Sequence, residues 1–153
     1  MAAAQTLRFR ERRGNDFIFR FEFKLSPGGN HGVGIRAPLE ARPHLAGMEI
    51  QILDDDAPKN ANRKTCQYHG SIYCRVAAER GHQKPIGEWN EQEILVEGKH
   101  VKVTLNGHVI VDAETDHPAL KKPAGPISFK GHHEHVEFRN LRIKELPATE
   151  PAP

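Results

Sequence analysis

The chain has almost no excess charge: 22 Lys and Arg face 20 Asp and Glu, a formal net charge of +2. The basic residues are scattered rather than gathered on one segment, which excludes a nucleic-acid binder held mainly by charge. No run approaches the ~18 consecutive apolar residues that a membrane helix needs, so a helical membrane span is excluded as well. Met1–Thr6 offers neither a basic n-region nor an apolar h-region, so no secretory signal is expected in this chain. Cysteine is scarce. The spacing of Cys66 and Cys74 fits neither a C-x-x-C redox pair nor a four-ligand zinc site. A disulfide between them requires their segments to fold back on each other; two buried free thiols are the other reading. There is no G-x-S-x-G elbow, no P-loop and no dinucleotide fingerprint, which removes serine-hydrolase, nucleotide-hydrolase and NAD-binding chemistry. No helix of more than a turn or two is visible.

What is present is alternation. Phe17, Phe19, Phe21 and Phe23 recur at period two within Asp16–Leu25, which predicts a half-buried strand; a helix would scatter them around its circumference. Ser26–Asn30 reads as a turn and His31–Arg36 as a second strand, its glycines marking close approach of another chain or a ligand to the backbone. Further strands are expected at Met48–Leu53, Gly70–Val76, Glu91–Glu97, Val101–Leu105, Val109–Val111, Ile127–Phe129 and Val136–Leu146. Asn106-Gly107 is a strong hairpin signal. The spacing of Phe138 and Ile143 breaks period two and predicts a β-bulge near Asn140. One all-β domain is expected over residues 7–146, a sandwich or jelly roll, followed by a Pro-rich disordered tail over 147–153.

Several polar residues stand out against this frame. Glu49 and Gln51 alternate with Met48, Ile50 and Ile52 on a strand that reads as central. Their face either meets water or lines a cavity, with Arg36 at the end of the preceding strand beside them. A solvated outer face is the plain reading and a sugar-binding concavity the functional one. His69, next to Gly70, can meet a ligand at a strand entrance or have no task. Trp89, the only tryptophan, can stack on a sugar ring or anchor the core. Lys130, with His132, His133, Glu134 and His135 close behind it, forms the densest group. Imidazole and carboxylate are common metal ligands, yet no H-E-x-x-H pattern exists, so this group reads as the source of one site histidine.

These segments resemble a known family. Phe21–Asn30, Gly32–Pro38, Ala46–Asp54, Tyr68–Tyr73, Gly87–Asn90, Val103–Gly107 and Val136–Leu146 look like the 3-keto-disaccharide hydrolase domain, in order, from about Leu7 to Leu146. The resemblance implies an antiparallel concanavalin-like jelly roll akin to the β-glucanase sandwich. It carries over Arg36, Glu49, Gln51, His69, Tyr73 and His132 as the polar positions of the family's motifs. Two departures show: the family's opening Leu-Phe-Asn-Gly segment and following Trp are lacking, and Lys130 replaces the usual Gln. A shortened sheet with an uncovered edge leads to the expectation of a homo-oligomer.

The resemblance also implies a 3-keto-glycoside substrate, supplied by an upstream 3-dehydrogenase, and an extracytoplasmic (periplasmic or secreted) location. A ketone at C3 acidifies the C2 proton, and the glycosidic oxygen at C1 can then leave by elimination before water adds back. The expected catalytic residues are Glu49 as base and His132 as acid or second base. Arg36 and Lys130 are expected on the enolate, with Gln51, His69, Tyr73 and Trp89 on the sugar. A divalent cation held through Glu49 or His132 is an alternative polariser of the ketone. A non-catalytic, lectin-like sugar-binding module is the competing function, since fold does not fix activity.

Overall fold

The computed structural model describes residues 16–37, 47–121 and 125–147. The alternating phenylalanines form β1 (Asp16–Leu25), with Phe17, Phe19, Phe21, Phe23 and Leu25 all buried. It is followed by β2 (Asn30–Ile35), β3 (Met48–Leu53), β4 (Asn90–Glu97), β5 (His100–Leu105), β6 (His108–Glu114), β7 (Ile127–Lys130) and β8 (Val136–Leu146). Short 3-10 turns lie at Pro58–Asn60, Thr65–Gln67 and Pro118–Lys121. The strands build two antiparallel sheets, in the orders β6-β5-β4-β1-β8 and β3-β2-β7. The expected all-β antiparallel jelly-roll sandwich is what forms among the described residues.

The core lies between the sheets. Phe129 of β7 meets Phe21 of β1 edge-on at 5.4 Å and stacks on Phe138 of β8 at 3.9 Å. Burying each such side chain contributes about 1.5–3 kcal/mol, so this aromatic seam is a principal tie between the layers.

Local signals held where the chain itself dictates the backbone. Asn106 and Gly107 both take positive φ, 49° and 83°, as the two-residue turn between β5 and β6 requires. The bulge falls where expected: Arg20 pairs with Arg142 but Glu22 with Arg139, and Asn140 sits at φ 53°.

One predicted strand is corrected. Gly70–Val76 makes only isolated bridges, Ile72 to Ile50 and Ile72 to Val76. Gly70 and Cys74 at positive φ, and Arg75 and Val76 both donating to the Ile72 carbonyl, close it into a turn. A second correction follows. β3 is not central but ends the three-stranded sheet, and the Gly70–Tyr73 strip covers its outer edge. Residues 7–15 of the predicted domain, and the tail beyond Pro147, lie outside the described residues.

Candidate active site

The outer face of the three-stranded sheet is built by register. Ile50 and Ile52 of β3 face the core, so Glu49 and Gln51 face away from it. Their partners on β2 are Gly34 and Gly32, and beyond those lie Ser128 and Lys130 of β7. At Gly32 and Gly34 the middle strand therefore carries no side chain on this face. The result is a trough of bare backbone about 10 Å across from β3 to β7 at ordinary strand spacing. Glu49 reaches into it: a Cβ on Gly32 would lie 2.4 Å from Glu49 Oε1 and 2.9 Å from its Cδ. The glycine is thus what lets the carboxylate lie over the sheet. Glu49 is 6% exposed and Gln51 2%, which overturns the solvated-face reading. Gln51 Nε2 donates to Asn30 Oδ1 at 3.2 Å, which sets the orientation of the amide.

The covering strip joins this face. Gly70 N–H donates to the Gln51 carbonyl, Gln51 N–H to the Ser71 carbonyl, and Tyr73 N–H to the Glu49 carbonyl at 2.9 Å. Ile72 bridges to Ile50 in the core, so alternation puts Tyr73 on the Glu49 side. The Tyr73 hydroxyl accepts from Gln67 Nε2 at 3.1 Å.

His132 follows β7 by two residues and is exposed. Its backbone N–H donates to Nδ1 of His31 at 3.4 Å, and Lys59 pairs with Glu134 in the same loop. His31 is 1% exposed, and its Nε2 has no hydrogen-bond partner among the described residues. Burial pushes the His31 imidazole down to about 4, with the Glu134 carboxylate opposing. A neutral ring whose Nδ1 accepts must carry its proton on Nε2. His31 was missed as a loop anchor. The signal was present, because it alternates with the core residues Val33 and Ile35.

Three of the expected site residues are not brought to this face. His69 is 1% exposed, with both ring nitrogens engaged: Leu53 N–H donates to Nδ1 at 3.2 Å, and Nε2 lies 2.7 Å from Gln92 Oε1. It stacks on Phe23 at 5.1 Å, and burial pushes it down to about 4. It is a core residue in a fixed tautomer and offers a substrate no polar atom. Arg36 turns away from β2 at φ 52° and is 4% exposed; its Nη1 donates to the Leu120 carbonyl at 3.2 Å. Burial lowers its pKa, opposed by the Asp16 carboxylate. Trp89 lies across the core from Glu49. Arg139 and Lys24, on the outer face of the five-stranded sheet, cover its ring at 3.8 and 5.0 Å. It therefore serves as a cation–π clamp rather than a sugar platform here. Glu49 and His132 are not assembled into a group of three or more His, Cys, Asp or Glu side chains among the described residues.

The profile of a family described as the 3-keto-alpha-glucoside-1,2-lyase-like domain matches residues 3–144. The chain belongs to this family. The lyase-like domain is 25% identical to a 3-keto-disaccharide hydrolase of Bacteroides thetaiotaomicron, with 86% of this chain aligned. It spans 59% of the length of that curated relative. A solved structure of a candidate glycosyl hydrolase from Parabacteroides distasonis is 28% identical, with a TM-score of 0.76 over 86% of this chain and 79% of that one. Sheep galectin-11, at 11% identity and a TM-score of 0.55, shares the fold, covering 93% of the lyase-like domain and 96% of its own chain. No helix among the described residues is long and apolar enough to cross a membrane.

Proposed function

We propose that the domain cleaves 3-keto-glycosides by elimination followed by hydration. The single observation that carries this is Glu49. It is buried, it lies over the glycine backbone of β2 at Gly32, and it shares its face with Gln51, Ser128 and Lys130. A carboxylate held there suits abstraction of a proton from a sugar laid on bare backbone.

Glu49 takes the C2 proton, and the electron pair moves into the C2–C3 bond to leave an enolate on O3. With Arg36 turned away, Lys130 is the described cation on this face and compensates that charge. The C1–O bond then breaks, and His132 supplies the proton to the departing oxygen. Water adds across C1 and C2, hydroxyl to C1 and proton to C2, for net hydrolysis. Gln51 and Tyr73 orient the ring. The chemistry does not need the paired carboxylates of ordinary glycosidases. A 3-keto substrate must come from oxidation of the C3 alcohol, so a 3-dehydrogenase acts upstream, in an extracytoplasmic compartment.

The test is Glu49→Gln, which keeps volume and removes the base. Release of aglycone from a 3-keto-glucoside falls by about 10²–10⁴-fold while the melting temperature is retained. A wild-type rate in the variant rejects the role of Glu49. Sugar binding without turnover by the wild-type chain rejects the enzyme reading and leaves a binding module.

A further inference from the structure

Cys66 and Cys74 are both free thiols; Cys66 is half-buried and Cys74 exposed. The expectation of two buried thiols is therefore not met, and the other reading, that the segments fold back on each other, describes the backbone. Cys74 N–H donates to the Cys66 carbonyl at 3.0 Å. A bond that short holds the two Cα atoms within about 7 Å at full stretch, and nearer 6 Å at ordinary angles. That is the range a disulfide spans without backbone movement. The side chains are near enough to influence each other, since the Cys66 thiol pushes the Cys74 thiol up and the Tyr73 side chain pulls it down.

We propose that Cys66 and Cys74 are a disulfide-forming pair that covalently closes the strip beside Glu49 when the chain meets a small-molecule disulfide oxidant. The step is thiol–disulfide exchange. The Cys74 sulfur, after losing its proton, attacks one sulfur of the oxidant, and a thiolate leaves. The Cys66 sulfur then displaces the second thiol. Two protein thiols are oxidised to one disulfide, one oxidant disulfide is reduced to two thiols, and both protons are accounted for. Burial and the neighbouring Cys66 push the Cys74 thiol up, which suits a structural crosslink better than a fast nucleophile. The bond encloses Tyr73, whose N–H is anchored on the Glu49 carbonyl. Oxidation therefore pins the strip that covers the edge of β3, whatever reaction the face performs.

Trypsin, cutting after Lys64 and Arg75, releases both cysteines on one peptide, Thr65–Arg75. The full chain is incubated, folded, with oxidised glutathione, digested and weighed. The expected peptide is about 2 Da lighter than its reduced form and returns to it with a reductant. The oxidised chain also melts about 5 °C higher. Single variants Cys66→Ser and Cys74→Ser instead carry glutathione on the remaining cysteine. The proposal is overturned if the wild-type peptide retains glutathione adducts, if the thiols persist, or if the chains become linked to one another. It is also overturned if the internal bond forms but lowers the melting temperature. The wild-type measurements do not depend on either variant folding.

Discussion

Replacing Gly32 with alanine moves the candidate base without changing any polar group. The new Cβ would stand 2.4 Å from Glu49 Oε1, 2.9 Å from Cδ and 3.0 Å from Cγ, whereas ordinary contact begins at 3.4 Å. The carboxylate must therefore retreat by about 1 Å, and a misplacement of that size costs about 10²-fold in rate. Because the contact runs along the side chain from Cγ outward, a small swing of the terminal oxygen does not relieve it. Overpacking of this kind costs about 1–3 kcal/mol. Removing a glycine from a strand returns about 0.5–1 kcal/mol of backbone entropy. The net loss is about 1–2 kcal/mol, a few degrees in melting temperature for a domain of this size. The assay is the initial rate of aglycone release from a 3-keto-glucoside across a range of concentrations, with thermal melting on the same sample. The expected outcome is a folded protein whose kcat is down about 10²-fold. A folded variant within threefold of the wild-type rate would refute the reasoning, because the position of Glu49 over β2 would then be irrelevant to turnover.

Lys130→Gln removes the charge assigned to the enolate while keeping a hydrogen-bond donor. It lowers kcat by about 10²-fold with little change in KM, and an unchanged kcat eliminates that role. His31→Leu deletes the acceptor for His132 N–H and lowers kcat about tenfold; His31→Asn, whose Oδ1 can replace Nδ1, restores most of it, and equal rates in the two variants contradict the anchoring role. Stability is also expected to fall with acid. His31 and His69 have folded values near 4 against an ordinary 6.5, so the unfolded chain binds more protons between those limits. Each contributes stability that is present above pH 6.5 and lost toward pH 4, up to about 1.4 kcal/mol per pH unit. Asp55 runs the other way: burial raises it from 3.8 to about 6, so it opposes the loss within that window. Denaturant titrations from pH 7 to 4 should show net destabilisation, steeper in Asp55→Asn; a flat profile in both proteins contradicts the buried, neutral histidines.

What the residues decide alone is local. Period-two phenylalanines require β1, Asn106-Gly107 requires the β5–β6 turn, and the broken spacing around Asn140 requires the bulge, because each follows from backbone sterics and a single buried face. The same alternation separates Glu49 and Gln51 from the core residues of β3. Alternation says which face a side chain takes but not what lies opposite, and register supplies that. Pairing with Gly32 and Gly34 turns a polar face into a trough, and pairing of β7 with β2 places Lys130 on it. His69, Arg36 and Trp89 show the limit most plainly. Each carries groups able to hold a sugar, and each is claimed by a partner far away in sequence: Gln92, Leu120 and Arg139 respectively. A polar side chain buried among hydrogen-bonding neighbours is committed by their free energy of desolvation, and only the tertiary structure reveals which neighbours it has.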